Sequence, residues 1–204
     1  MNRRDVVVAG HRGQAADIEL IRTALGSDDP SVREAALGGL ERVGLLSDDA
    51  LAVALDDADV GVRRRAAELA ALHPGVGLLG ALHDPDDRVV EVAAWSCGEH
   101  ELVDDATLER LVSLATDAAE PLVRESSAAA LGAIGDPRGL PAVLAACADK
   151  PAVRRRAVLA LAPFLDGPDD HLVQEAVERA LVDRDWQVRQ AADDLRRAAR
   201  GTMP

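Results

Sequence analysis

The side chains able to do chemistry are few and scattered. The histidines are His11, His73, His83, His100 and His171, and the cysteines are Cys97 and Cys147. A helical zinc motif needs two ligands one turn apart, and other zinc motifs need Cys-x-x-Cys. No histidine pair has the i, i+4 spacing and no Cys-x-x-Cys occurs. Cys97-Gly98-Glu99-His100 is half a metal site without its second half. Ser96 and Ser113 lack the Gly-x-Ser-x-Gly turn that exposes a nucleophile. Gly10-His11-Arg12-Gly13 lacks the Lys-Ser/Thr of a phosphate loop and follows no strand. The carboxylates are numerous but sit at helix starts and on polar faces. The expectation is no catalytic residue, no metal and no cofactor.

What does recur is an ion-pairing residue in a fixed frame. An acidic or polar residue, two variable residues, Val and then Arg appear as Asp29…Val32-Arg33, Asp59…Val62-Arg63, Glu120…Val123-Arg124, Lys150…Val153-Arg154 and Asp185…Val188-Arg189. A sixth copy, Asp86…Val89-Val90, has lost the Arg. The valines are 30, 27, 34, 30 and 35 residues apart. An Arg in the first turn of a helix can pair with the Asp of its own or a neighbouring repeat, which would build a ladder along a stack.

The elements holding these residues follow from the flanking pattern. Apolar or small residues at +4 and +8 from each Val (Ala36 and Leu40, Ser127 and Leu131, Ala157 and Leu161) form a stripe on one helix face. The preceding Asp supplies an N-cap, often followed by Pro at the first helical position. Between these helices lie shorter apolar runs at Leu51–Leu55, Leu78–Leu82, Leu108–Leu114, Leu140–Ala146 and Leu172–Leu181. Gly135-Asp136-Pro137 and Gly167-Pro168-Asp169 are read as breaks between the two helices of a pair. The reading is one domain over 1–204, with helix pairs at about 15–44, 47–72, 75–100, 104–135, 137–165 and 168–200. Residues 1–13 form a short cap.

Composition agrees. The 204 residues include two Trp, one Phe and no Tyr, with Ala, Leu and Val dominating the apolar set. Close-packed short helices suit that mixture, whereas strands and ligand pockets favour larger side chains. Net charge is −13, distributed as −9 over residues 1–102 and −4 over 103–204. Such a field repels phosphate backbones and anionic membranes. Val6 to Ala9 is too short an apolar stretch for a signal peptide, no run reaches a membrane span, and two distant cysteines are no disulfide framework. The expected setting is the cytoplasm.

Asp-x-x-Val-Arg-x-x-Ala followed by Leu-Gly-x-Ile-Gly-Asp-Pro is similar to the HEAT-like repeats named after phycobilisome lyases. Residues Glu120 to Leu140 match it most fully and the likeness extends over about 15–200. The resemblance implies an all-α fold, a right-handed α-α superhelix of about six helix pairs, and says little about activity.

Helix phase then selects a surface. If Val, +4 and +8 face the core, positions +2 and +6 face away, on the concave side of such a stack. The +6 residues are Gly38, Glu68, Trp95, Ala129, Leu159 and Asp194; the +2 residues are Glu34, Arg64, Glu91, Glu125, Arg155 and Gln190. Trp95, Ala129 and Leu159, bordered by Arg64, Glu91, Glu125 and Arg155, are the expected partner-binding residues. Trp186 is expected to pack the last helix against the preceding pair. The leading function is a monomeric, non-enzymatic scaffold for another protein.

Two other functions follow from resemblance. HEAT-like alkylpurine DNA glycosylases combine Trp, a carboxylate and basic residues. Trp95 with Glu99, Trp186 with Arg189, and the basic runs Arg63-Arg64-Arg65 and Arg154-Arg155-Arg156 echo that set. The net charge and the scarcity of aromatics oppose it. The repeat's namesake implies a role in bilin attachment, for which no residue here specifies a tetrapyrrole site.

Overall fold

A computed structural model describes the backbone of residues 1–201 and side chains to Ala199. Arg200, expected on the polar face of the closing helix, has its side chain outside the described residues. Twelve α-helices and no strand occur among the described residues: α1 (Arg3–Arg12), α2 (Ala15–Ala24), α3 (Pro30–Arg42), α4 (Asp48–Leu55), α5 (Val60–Ala70), α6 (Asp87–Cys97), α7 (Asp105–Asp117), α8 (Pro121–Ile134), α9 (Leu140–Ala146), α10 (Pro151–Ala160), α11 (Asp170–Leu181) and α12 (Trp186–Gly201). Among the described residues no helix is long and apolar enough to cross a membrane. The chain divides into two compact units, Met1–Ser96 and Cys97–Pro204.

Each second helix (α3, α5, α6, α8, α10 and α12) begins two residues before its repeat Val. Asp29 and Asp59 cap α3 and α5, accepting from the Ser31 amide at 2.9 Å and the Gly61 amide at 2.8 Å. Asp86 and Asp185 do the same for Arg88 and Gln187. Pro opens α3, α8 and α10, where its missing N–H costs no helical hydrogen bond. All six valines are at most 1 % exposed, and so is every residue at +4: Ala36, Ala66, Ala93, Ser127, Ala157 and Ala192.

Within the first unit α3 packs on α5, and α1 packs on α3 and α2. The extra first helix therefore does more than cover repeat one: it stacks on α3 as α5 does on the other side. Gly10 makes this possible, because a Cβ there would come within 2.9 Å of the Gly39 Cα. Within the second unit α8 packs on α10 and α10 on α12. A Cβ on Gly132 would lie 2.6 Å from the Ala160 Cα, so glycine sets the α8–α10 spacing.

Two sequence expectations need correction. Leu78–Leu82 forms no α-helix; a single 3-10 turn, Ala81–His83, stands where the first helix of repeat three belongs. Pro74, Gly75, Gly77 and Gly80 precede it, and the entropy cost of ordering glycine outweighs the four apolar residues Leu78, Leu79, Ala81 and Leu82. Leu78 and Leu82 still reach the core, at 3 % and 0 % exposure. The Gly135-Asp136-Pro137 and Gly167-Pro168-Asp169 breaks, for their part, lie between successive pairs (α8/α9 and α10/α11), not inside one. Gly135 ends α8 with φ 69°, a left-handed conformation glycine adopts without strain.

Candidate functional site

The repeated Arg is structural. Arg33 Nε and Nη2 donate to the two carboxylate oxygens of Asp57 at 2.8 and 2.6 Å, and its Nη1 donates to the Ser27 and Asp28 carbonyls. Arg63 repeats this on Asp84, Arg124 on Asp149 and Arg154 on Asp183. Each Arg thus locks its own repeat's turn and grips the next repeat. The side chains are largely buried, down to 5 % exposure for Asp84 and 8 % for Arg154. Hydrogen bonds from the guanidiniums hold the Asp57, Asp149 and Asp183 carboxyls below the usual carboxylate range.

The sequence reading named a partner Asp without separating two roles. The signature acid caps the helix. The ladder acid is a second one, five residues before the Val at Asp57, Asp84 and Asp183 and four before it at Asp149. Repetition at a fixed offset is the signal that could have found it. Where Arg is missing, at Val90, the corresponding ladder acid is missing too: Ala118 stands five residues before Val123.

The sequence-selected surface residues distribute over both units. On the first, Arg64 is exposed, Glu91 half-buried, and Trp95 is 43 % exposed on a helix whose other apolar side chains are buried. On the second, Leu159 is 40 % exposed, while Ala129, Glu125 and Arg155 are half-buried. Glu125 Oε1 lies 3.9 Å from Arg155 and 3.8 Å from Arg156, so Leu159 sits on a helix with a charged border. Helix phase therefore places Trp95 and Leu159 in water as expected. It fails at Gly38, which is buried, because the Arg65 guanidinium lies over it, 3.0 Å from a notional Cβ. Arg65 is fixed there by Glu68 at 2.8 Å.

Trp186 corrects another expectation. It is 65 % exposed and does not pack the last helix inward. Its place as the first residue of α12, in the turn, puts its ring beyond the core stripe. Glu99, paired with Trp95 in the glycosylase comparison, lies in the turn after α6 and not on that helix. Of the two basic runs, Arg63 and Arg154 are consumed by the ladder and Arg65 by Glu68.

No group of three or more His, Cys, Asp or Glu among the described residues is arranged to hold a metal. Burial pushes the Cys97 thiol up to about 12 and the Cys147 thiol up to about 11, away from the thiolate form a nucleophile needs. One polar cluster escaped the sequence reading. His73, just past α5, sets Nε2 2.8 Å from Glu41 of α3 and Nδ1 2.9 Å from Asp48 of α4. Gly75 leaves room for it; a Cβ there would fall 2.4 Å from an Asp48 carboxylate oxygen.

With this geometry in hand, the comparisons define the class. Residues 76–162 match the family model described as HEAT repeats. Among solved structures, an engineered protein superposes with a TM-score of 0.66 at 19% identity, covering 91% of this chain and 97% of its own. A designed armadillo repeat protein in complex with a (KR)4 peptide gives 0.63 at 18% identity, covering 89% and 98%. The CpcE–CpcF complex of phycocyanin lyase from a Nostoc species gives 0.62 at 25% identity, covering 86% of this chain and 74% of that one. No curated protein sequence matches. The chain is an all-α, α-α repeat protein, and the likeness to HEAT-like repeats of the phycobilisome-lyase type holds.

Proposed function

We propose that this chain is a cytoplasmic, monomeric and non-enzymatic scaffold that binds a partner protein on the outward face of its second helices. One observation carries the reading: Trp95 and Leu159, both at +6, stay 43 % and 40 % exposed in repeats whose Val, +4 and +8 positions are almost fully buried. Large apolar side chains held in water by rigid helices are what a partner covers, and Trp most often dominates such contacts. Arg64 and Glu91 on the first unit, and Ala129, Glu125 and Arg155 on the second, are the other residues of the proposed surface. The whole of 1–204 is taken as one functional array.

Trp95→Ala is the test. Capture of the partner from the native host is expected to fail, with a melting temperature within a degree or two of the parent. A large drop in melting temperature with capture intact would return Trp95 to the core and remove the reading.

The resemblance to phycocyanin lyase favours a second reading, in which the chain works paired with a second protein chain. The supporting observation is that CpcE is solved with CpcF and that a chain of that complex resembles this one over 86% of its length. A DNA-acting role gains nothing comparable, since Arg63, Arg65 and Arg154 of the basic runs it would use are held in ion pairs.

A further inference from the structure

The last repeat keeps one half of the ladder and lacks the other. Arg189 stands in the register of Arg33, Arg63, Arg124 and Arg154, and its Nη1 donates to the Asp183 and Arg184 carbonyls as theirs do to equivalent turns. That contact fixes the guanidinium plane. In the four preceding cases Nε and Nη2 then close on an Asp of the next repeat, at 2.5–2.9 Å and 2.6–3.1 Å. In Arg189 these two donors have no partner among the described residues and the side chain is exposed.

The space in front of it repeats one that is narrower in the first repeat. There Leu25, Arg33 and Leu37 line a cavity of about 180 Å³ together with Ala50, Val53 and Ala54 of α4, Asp57 and Val62. Leu181, Arg189 and Asp193 occupy the same three positions in the last repeat, seven before, one after and five after the Val. They line an open groove of about 470 Å³ with Trp186, Gln190 and Arg196. The wall is changed in one respect. At +5 and +8, where earlier repeats bury Leu37, Ala67, Ala94, Ala128 or Val158 and Leu40, Ala70, Cys97, Leu131 or Leu161, this repeat has Asp193 and Arg196, ion-paired at 3.0 Å. A complete apolar helix pair is therefore refused, while the fork and its Trp remain.

We propose that this groove is a second docking site, which takes the end of a partner protein's amphipathic helix that runs into an aspartate, the carboxylate seated bidentately on Nε and Nη2 of Arg189. The fork selects a planar carboxylate over other anions, and Trp186 and Leu181 supply apolar contact beside it. A second copy of this chain is not the occupant: Asp28 stands at the offset of Asp149, but α1 already covers α3 there.

The probe is a peptide spanning residues 47–58 of this chain, acetylated and amidated, which carries α4 and the ladder acid Asp57 that Arg33 holds bidentately. It is titrated into the ¹⁵N-labelled full chain at millimolar concentration, reading the Trp186 indole and Arg189 Nε–H signals. Saturable shifts of both are expected, weakened at least about fivefold for the Asp57→Asn peptide. In the chain, Arg189→Gln and Arg189→Lys are expected to weaken binding alike, since Lys restores charge but not the fork. No shift, equal shifts with the Asn peptide, or full binding by Arg189→Lys would overturn the proposal. Shifts that follow protein concentration without peptide would make the occupant a second copy and overturn it as well.

Discussion

Arg154 and Asp183 meet across two repeats through two hydrogen bonds, Nε to Oδ2 at 2.9 Å and Nη2 to Oδ1 at 2.7 Å, with 8 % and 16 % of the side chains exposed. Exposed pairs contribute about 0–1 kcal/mol each, which is what the sequence alone suggests for a surface ladder. Burial changes that. Truncating the Arg strands a carboxylate that is also accepting the Asp185 amide. Arg154→Ala should lose about 2–3 kcal/mol in urea unfolding, and Arg189→Ala, which has no such partner, should lose less than about 1 kcal/mol. Equal losses would show the ladder to be ordinary surface charge.

The same ladder sets the acid limit. Asp57, Asp149 and Asp183 have folded pKa values lowered below the free carboxylate, so their contribution is complete above about pH 4 and is lost as pH falls through the lowered values. An Arg154→Ala chain should accordingly lose its deficit relative to the parent as both approach acid unfolding.

His73 works in the opposite direction. Burial opposes its charge, but the Glu41 and Asp48 carboxylates outweigh burial and raise its pKa. A raised folded value stabilises fully below the free value of about 6.5 and is lost as pH rises through the folded one. The stability gap between the parent and His73→Gln should be wider at pH 5.5 than at pH 8.5, by up to about 1 kcal/mol given that Asp48 is half exposed. A gap independent of pH would mean that His73 is held as neutral imidazole.

Ser127 occupies a +4 position that is alanine in the other five repeats, and its buried Oγ has no hydrogen-bond partner among the described residues. Ser127→Ala should raise stability by roughly 1 kcal/mol, read as a higher denaturation midpoint at unchanged slope. A lower midpoint would reveal a partner for the hydroxyl.

Much of this was legible because a repeat prints its rules several times. The six valines and the small residues at +4 gave the starts of the second helices and the core face, and the signature Asp gave the caps at Asp29, Asp59, Asp86 and Asp185. Repeat three was misread because hydrophobic spacing over Leu78–Leu82 says nothing about the backbone, and Gly75, Gly77 and Gly80 decide that. Trp186 was misread because a turn position carries no helical phase. His73–Glu41–Asp48 joins residues from three segments that only folding brings together, and no spacing could announce it. Trp95 was readable because α6 keeps the phase of its neighbours despite Val90.

Trp95 is also where the account is most exposed to measurement. In a Trp186→Phe chain, Trp95 is the sole indole and reports its own environment. The free chain should show red-shifted emission readily quenched by acrylamide, since the ring is 43 % exposed. Adding the captured partner should shift the emission to the blue and cut the quenching constant severalfold, with Leu159→Ala weakening the effect. Emission and quenching unchanged by a partner that demonstrably binds would mean that it docks elsewhere, contradicting the second-helix face as the binding surface.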